Sequence, residues 1–332
     1  MANLQLSVCV SDNPRTRPLI DGLVKPDGID LHITVAHPSE MFWRQLHFEE
    51  FDVSEMSLSS LIAAVCAGDT RWVGLPVFTS RRFFHTGILA RTDAGIEKPE
   101  DLKGKRIGVP EYQQTAALWT RAALQHVYGV KATDMRWWME RNPEMSHGGA
   151  TGFKPPEGLE FNYIPPDKSI GSMLVSGELD ASLLYLSDAN LVDRSRVDMS
   201  KQTNIKRLFP DEAAEGRAYF AKTGFFPINH GMVVKRSVVD QHPWVVLNIY
   251  RAMLQGKEMV DKQAREAAAP YFETGLLGPE GRKAMQTDIF AYGVKGANKD
   301  ILPAIPGFSH EQGLTPRVVG LDEVFAKQTL DV

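Results

Sequence analysis

Apolar and polar residues alternate at the start of the chain and then recur at helical spacing. The segment LQLSVCV, from Leu4 to Val10, alternates with a period of two, which predicts a β-strand. Helical spacing predicts α-helices over residues 16–23 and 39–48, with a strand over 31–35 between them. Strands that alternate with helices are typical of α/β proteins with mostly parallel sheets.

The same alternation continues to residue 92. FDVSEMS predicts a strand that ends at Ser57, and residues 58–66 predict the helix that follows it. Two further strands are predicted over residues 73–80 and 83–92. We expect the second of them to be long and to lead out of the first of two lobes.

The stretch LKGKRIGVPEYQQTAALWTRAA predicts a short strand that turns directly into a helix. The strand covers Arg106–Val109, and Gly129 is expected to end the helix. One apolar arc of this helix carries Ala116, Ala117, Thr120, Leu124 and Val127. The polar turn over residues 111–115 lies at the positive end of the helix dipole, where free N–H groups favour an anion. The pattern therefore predicts a protein that grips a small acidic molecule.

The remaining sequence predicts the other elements of the second lobe and a return of the chain to the first lobe. PINHGMVVKR, residues 227–236, mirrors the strand over 83–92, so these two strands are expected to cross between the lobes. The other predicted elements are a strand over 159–165, a helix over 167–176, a strand over 179–186, a long lid-like loop over 140–158, and helices from 243 onward.

This organisation predicts an α/β protein of two lobes, each a mixed, mostly parallel sheet flanked by helices. Lobe I is expected to comprise residues 1–90 plus 233–332, and lobe II residues 91–232. Ligands of open α/β sheets bind beyond the carboxyl ends of the strands, which indicates a ligand cleft between the lobes. The loops expected to meet there are Ser11–Arg17, Glu55–Ser60, Glu111–Thr115 and Ser187–Asn190.

Composition narrows the class of protein. The 332 residues carry a net charge of −4, which argues against a nucleic-acid partner, and no apolar run is long enough to cross a membrane. Cys9 and Cys66 lie in apolar contexts and are expected to be free thiols. The first residues read as a strand and not as an export signal, so a complete chain of this kind would be cytoplasmic.

Several segments together resemble a known family. The blocks GKRIGVPEYQQTAALW, GELDASL, SLSSLIAAVCAGD and PINHGMVVKR resemble the type 2 periplasmic-binding-protein-like superfamily. RTRPLIDG, SLSS, PEYQQTAA and PINH, in this order, most closely resemble the 4,5-dihydroxyphthalate decarboxylase family. In that family an Asp usually precedes the Arg-Thr pair and an Arg usually stands at the position of Phe84, whereas this chain has Asn13 and Pro14 before Arg15.

The resemblance implies a cytoplasmic carboxy-lyase that removes a carboxylate from a hydroxylated aromatic acid without an organic cofactor. In such a reaction the carboxylates must be oriented and a proton must reach the ipso carbon, so the site needs binding groups, an acid and a dry pocket. None of these requirements calls for a metal ion, and the nine histidines show no metal-binding spacing such as HExxH.

Arginines, hydroxyls and the polar turn are the candidates for binding the substrate. Guanidinium groups can hold carboxylates in a bidentate manner; their alternative role is that of solvated surface charges. One of the serines at 57, 59 and 60 is expected to cap the helix that follows, and another hydroxyl could bind a carboxylate. The candidate set is Arg15, Thr16, Arg17, Ser57, Ser59, Arg81, Arg82, Tyr112, Gln113 and Thr115.

Three residues are candidates for the catalytic acid. His85 and His230 lie on the two crossing strands and titrate near neutral pH, although each could instead hold a structural hydrogen bond. Glu111 lies in the polar turn, where burial would raise its pKa and the helix dipole would lower it. His147 lies in the glycine-rich loop, where it could be a lid residue, although a mobile surface histidine is the favoured interpretation.

The alternative function is a non-catalytic binding protein for a small aromatic carboxylate. Arginines in a cleft serve binding and catalysis equally well, and the fold alone does not choose between them. In either case the expected partner is a small-molecule aromatic carboxylate, with no nucleic acid and no membrane. The exposed aromatic residues would permit a homo-oligomer.

Overall fold

The computed structural model describes residues 2–332 and contains two mixed sheets flanked by helices. In this part of the chain the strands are β1 (Leu4–Val10), β2 (Ile29–Val35), β3 (Val53–Ser57), β4 (Trp72–Arg81), β5 (Leu89–Arg91), β6 (Arg106–Val109), β7 (Arg136–Met139), β8 (Glu160–Tyr163), β9 (Ala181–Ser182), β10 (Ile205–Arg207) and β11 (Ile228–Lys235).

The helices connect and cover these strands. They are α1 (Arg17–Ile20), α2 (Pro38–Phe48), α3 (Leu58–Cys66), α4 (Thr115–Tyr128), α5 (His147–Thr151), α6 (Ile170–Ser176), α7 (Glu212–Thr223), α8 (Arg236–Gln241), α9 (Val245–Glu273), α10 (Pro279–Gln286), α11 (Ile301–Glu311) and α12 (Leu321–Val324).

Each lobe is built on one sheet. The first sheet has the order β2-β1-β3-β11-β4, with β11 antiparallel to both of its neighbours. The second sheet has the order β10-β5-β9-β6-β7-β8, in which β5 is antiparallel to both of its neighbours and the other strands run in one direction. The predicted fold class of two α/β lobes is confirmed.

The strand connections differ from the expected crossing strands. Residues 83–92 do not form one long strand: Phe84–Gly87 is a 3-10 helix, and only β5 follows it, in the second sheet. Strand β11 lies entirely in the first sheet. The expected lobe bounds at 90 and 233 therefore cut through β5 and β11, and sheet membership moves both boundaries toward the N-terminus.

Helix α4 is buried on all sides along its first ten residues, Thr115 to Leu124. The single apolar arc expected from sequence is too narrow because α4 packs on its own lobe and also contacts α3, α11 and β11 of the first lobe. The indole of Trp119 donates a hydrogen bond of 2.9 Å to the carbonyl of Ile228 across this boundary. Gly129 ends the helix in the left-handed conformation, as expected.

The two cysteines form no disulfide, as expected, and only Cys9 is fully buried. None of the helices described between residues 2 and 332 has the length and apolar character needed to cross a membrane.

Candidate functional site

A cavity of about 160 Å³ lies between the lobes and receives side chains from both. Its apolar wall contains Phe42, Phe84, Leu184 and Leu186. Its polar wall contains Ser39, Ser57, Arg82, Gln114, Thr115, Arg141, His147, Asn229 and His230. A cavity at the junction of two lobes, with an apolar wall and converging polar groups, is a common form of ligand site.

His230 is the candidate acid that the structure brings to this cavity. Its Nδ1 lies 3.3 Å from the carboxylate of Glu55, and its Nε2 lies 2.8 Å from the side-chain amide of Asn229. The ring of Phe42 packs edge-on against the imidazole at 4.8 Å. A carboxylate behind one ring nitrogen fixes the orientation of the imidazole.

Glu55 is fully buried at the centre of the first sheet. Burial alone would raise the pKa of this carboxyl group, but hydrogen bonds from His230, Thr79 and Ser11 lower it. Thr79 donates at 2.6 Å, and both the backbone N–H and the hydroxyl of Ser11 donate at 2.7 Å. Glu55 is therefore an ionised partner that holds His230 in place.

Arg141, which sequence reasoning missed, is fully buried beside the cavity. It forms a bidentate pair with Asp193 at 2.7 and 3.1 Å and donates to the hydroxyl of Ser39 at 2.7 Å. Glu111 lies 3.6 Å away from the same guanidinium. Since Ser39 belongs to the first lobe and Asp193 to the second, the guanidinium joins the two lobes. In a single sequence, nothing distinguishes a loop arginine that joins two lobes from one on the surface.

His147 is buried, which contradicts the expectation of a mobile surface residue. Its Nε2 lies 3.3 Å from Arg141 Nη1 and 3.2 Å from the carbonyl oxygen of Ser39. Burial, reinforced by the charge of Arg141, lowers the pKa of His147 to about 3. The residue is in α5, which packs against α2 and so brings the glycine-rich loop against the first lobe.

The polar turn before α4 contributes to the cavity and to the contact between the lobes. Gln114, Thr115 and Ala116 line the cavity. The hydroxyl of Thr115 lies 2.9 Å from that of Ser57 and accepts a hydrogen bond of 2.9 Å from the backbone N–H of Ser59. Ser57 and Thr115 thus meet as expected, although their hydroxyls are already hydrogen bonded to each other.

Glu111 does not line the cavity. It accepts hydrogen bonds from the hydroxyl of Ser146 at 2.6 Å and from the backbone N–H of His147 at 3.0 Å, at the beginning of α5. Burial raises its pKa, against the opposing effect of Arg141. The expectation of a catalytic acid is corrected to that of a buried group that holds α5 in place.

His85 is also remote from the cavity, in the 3-10 helix that replaces the expected strand. Its Nε2 lies 3.1 Å from the carboxylate of Glu215, and its ring packs against Tyr219 and Phe209. Burial lowers the pKa of His85, although Glu215 opposes this effect. The environment is that of a structural histidine.

Three of the four candidate arginines bind other groups of the protein, away from the cavity. Arg15 donates to the carbonyl of Thr79 at 2.7 and 3.1 Å, and Arg81 donates to the carbonyl of Ala291 at 2.7 Å. Arg17 is half exposed and pairs with acidic neighbours on the surface. These guanidinium groups satisfy nearby carbonyl or carboxylate groups, which the sequence pattern does not reveal.

Arg82 is the candidate arginine that does line the cavity. Its side chain is 61% exposed and lies 3.7 Å from Glu212. This long separation in an exposed position makes a weak ion pair, so the guanidinium can turn toward an anionic ligand.

The remaining candidates support the fold. Thr16 donates to the carbonyl of Ser11 within the first loop, and the hydroxyl of Ser59 donates to the carbonyl of Gln113. Tyr112 is fully buried against Trp137 in the core of the second lobe. None of Thr16, Ser59, Tyr112 and Gln113 is in the wall of the cavity.

Within residues 2–332, no three His, Cys, Asp or Glu side chains are grouped so that they could hold a metal ion.

The chain is 33% identical to a 4,5-dihydroxyphthalate decarboxylase of Comamonas testosteroni, over 100% of this chain and 99% of that protein. It belongs to the 4,5-dihydroxyphthalate decarboxylase family. A protein of the same name from Pseudomonas putida is 42% identical over 54% of this chain and 70% of its own length. The resemblance noted in the sequence is confirmed, and the chain is an enzyme, a carboxy-lyase.

The fold of this decarboxylase-family chain is shared with binding proteins. The profile of a family described as "ABC transporter, phosphonate, periplasmic substrate-binding protein" matches residues 13–148. An alkanesulfonate-binding protein from Xanthomonas axonopodis pv. citri superposes with a TM-score of 0.56, at 13% identity and over 98% of this chain and 99% of that one. An aliphatic sulphonate binding protein from Escherichia coli gives a TM-score of 0.55, at 12% identity and over 99% of both chains.

Proposed function

We propose that this decarboxylase-family enzyme releases CO2 from a hydroxylated, phthalate-like aromatic acid, without an organic cofactor, by protonating the ipso carbon. The reaction would convert 4,5-dihydroxyphthalate to 3,4-dihydroxybenzoate, in keeping with the names of its relatives. The observation that carries the proposal is the imidazole of His230 in the cavity wall, backed by the buried carboxylate of Glu55.

The cavity has groups that suit both parts of an aromatic acid. Phe42, Phe84 and the two leucines offer an apolar wall to the ring. The N-terminus of α4 and the guanidinium of Arg82 are the groups suited to a carboxylate, because helix N-termini and arginines both favour anions. In this arrangement Arg82 exchanges its weak pairing with Glu212 for the substrate.

The proton step assigns His230 as the acid. A ring hydroxyl ortho or para to the reacting carbon donates electron density. After the side chain of Asn229 moves away from Nε2 of His230, this carbon accepts a proton from Nε2 of the imidazolium. The bond between the ring and the carboxylate then breaks, its electron pair returns to the ring, and CO2 leaves. Each turnover consumes one proton, which His230 recovers from solvent, while Glu55 keeps the imidazole oriented.

A turnover assay with a panel of substrates tests this proposal. Purified protein is incubated with hydroxylated phthalates and benzoates, with no added cofactor, and CO2 release is followed with ring absorbance. We expect turnover of 4,5-dihydroxyphthalate that persists after exhaustive chelation. Complete loss on chelation that a metal ion restores would contradict the cofactor-independent mechanism.

The same assay addresses the alternative function. Tight binding of every member of the panel without CO2 release would support a non-catalytic binding protein for aromatic carboxylates. Turnover of other aromatic acids but not of hydroxylated phthalates would retain the decarboxylase and refute the proposed substrate.

A further inference from the structure

We propose that His147 and Gln114 form a subsite for the ring hydroxyls of the substrate, and that this subsite selects hydroxylated over unhydroxylated phthalates. The inference rests on the proposed function, because it concerns the same cavity and the same class of substrate. Gln114 lies in the polar turn that is expected from sequence to favour an anion, but the sequence pattern assigns neither residue to a ring hydroxyl.

Both residues carry a buried polar atom without a protein partner. Nδ1 of His147 and Nε2 of Gln114 accept or donate no hydrogen bond among the residues that the structure describes. The two side chains are 2% and 8% exposed, and both line the cavity. Because a buried polar group without a partner is unfavourable, two such groups on residues of one cavity wall favour a ligand with matching polar groups, toward which the two side chains turn.

The surroundings of His147 favour a hydroxyl over a carboxylate. Its Nε2 faces a donor, Arg141, and an acceptor, the carbonyl of Ser39, so Nδ1 is an acceptor in one tautomer and a donor in the other. A hydroxyl group can donate and accept, and it therefore suits both tautomers. A carboxylate can only accept.

The charges around His147 also favour a hydroxyl over a carboxylate. The guanidinium of Arg141 is already paired with Asp193 and faces Glu111, so it offers no unmatched positive charge to an anion. The low pKa of His147 keeps its imidazole neutral in the physiological range. A neutral hydroxyl is therefore the better ligand for this wall, whereas Arg82 supplies the positive charge for a carboxylate.

Gln114 is suited to a second hydroxyl. It occupies the N-cap position of α4, but its side chain makes no capping hydrogen bond, so the amide is free to bind a ligand. Two neighbouring hydroxyls on one ring could engage His147 and Gln114 together. This arrangement matches a vicinal dihydroxy acid better than a monohydroxy acid.

The test measures the affinities of 4,5-dihydroxyphthalate and phthalate by calorimetry, under conditions too brief for turnover or with His230→Asn as the common background. We expect the hydroxylated ligand to bind about tenfold or more tightly to the background protein. In the double variant His147→Leu, Gln114→Leu, the two affinities should agree to within about twofold.

Two controls isolate the hydroxyl contacts. Leu186→Ala removes apolar contact from the same cavity and should weaken both ligands by the same factor. His32→Leu makes the same exchange as His147→Leu at an exposed position and should leave the preference unchanged.

The imidazole of His147 gives a measurement that does not depend on a variant folding. In protein labelled with 15N at histidine, 4,5-dihydroxyphthalate should shift the Nδ1 resonance of His147, and phthalate should not.

The outcomes separate this inference from the proposed function. Turnover with an undiminished hydroxyl preference in the double variant overturns the subsite and leaves the decarboxylase. If the double variant loses the hydroxyl preference and the enzyme that retains His230 shows no turnover, the subsite is supported and the proposed reaction is contradicted. Binding of neither ligand overturns both.

Discussion

Two histidines with similar sequence contexts have different neighbours in the folded chain. His230 is held by Glu55 on one ring nitrogen and faces the cavity with the remainder of its ring. His85 pairs with Glu215, and aromatic side chains surround it. Of these two histidines, His230 is the one that a substrate in the cavity could contact.

Replacement of Glu55 by glutamine should reduce stability in a pH-dependent manner. The pKa of Glu55 is lowered in the folded state, so its contribution to stability is present above the ordinary glutamate pKa and is lost as the pH falls below about 4.3. We expect Glu55→Gln to lose on the order of 3 kcal/mol at pH 7. Urea unfolding at pH 7 and at acid pH measures the difference in unfolding free energy between the wild type and Glu55→Gln, and this difference should be smaller at acid pH. An unchanged difference would contradict the role given to this carboxylate.

The sequence identified suitable residue types but not their orientation. Arg15 follows β1 and Arg81 is the last residue of β4 in the first sheet, yet both donate to backbone carbonyls. Ser57, Arg82, Thr115 and His230 do reach the cavity. Orientation depends on packing between distant segments, such as Arg141 with Asp193, and a single sequence does not record such contacts.

At the level of elements, locally determined segments were predicted well. Strand β6 and helix α3 have the bounds predicted from sequence, because hydrophobic spacing defines them, with Pro110 directly after β6 and Gly68 two residues after α3. The region Phe84–Gly87 was predicted incorrectly as part of a long strand. Its 3-10 helix packs against α4 and α7, which are far away in the sequence, so its conformation depends on tertiary contacts.

The short helix α5 positions His147 and depends on close packing at Gly149. A Cβ atom on Gly149 would lie 2.0 Å from the carbonyl oxygen of Pro143, so Gly149→Ala must displace α5. We expect a lower melting temperature and weaker binding of 4,5-dihydroxyphthalate. Gly307→Ala in α11 is the matched control, since nothing lies within 4 Å of its Cβ position, and it should preserve or increase stability. Equal effects of the two substitutions would contradict the packing argument.

Over the whole molecule, a few polar contacts join the lobes around the cavity. Thr115 bonds to Ser57 and Ser59, and the indole of Trp43 donates to the carbonyl of Glu144 at 2.8 Å. Together with the hydrogen bond from Arg141 to Ser39, these contacts fix the positions of the cavity walls of the two lobes relative to each other. Ligand affinity should therefore depend on the contacts between the lobes as well as on the contacts with the ligand.

Thr115→Val tests this coupling between lobes. The substitution keeps the side-chain shape but leaves the backbone N–H of Ser59 without its acceptor, so we expect a loss of about 1–3 kcal/mol in unfolding free energy and weaker ligand binding. Thr120→Val is the control in the same helix, because the hydroxyl of Thr120 bonds only to the carbonyl of Ala116 within α4. Denaturant unfolding and calorimetry compare the two. Normal ligand affinity in Thr115→Val would show that the lobe contact is not needed.

The most direct test compares the rates of CO2 release from 4,5-dihydroxyphthalate by the wild-type protein, His230→Asn and His85→Asn. We expect kcat to fall about 100-fold or more in His230→Asn, with a much smaller change in KM, because general acids contribute rate enhancements of this order. His85→Asn should retain the wild-type kcat and lose stability. An unchanged kcat in His230→Asn, or a loss confined to His85→Asn, would contradict the assignment of His230 as the acid.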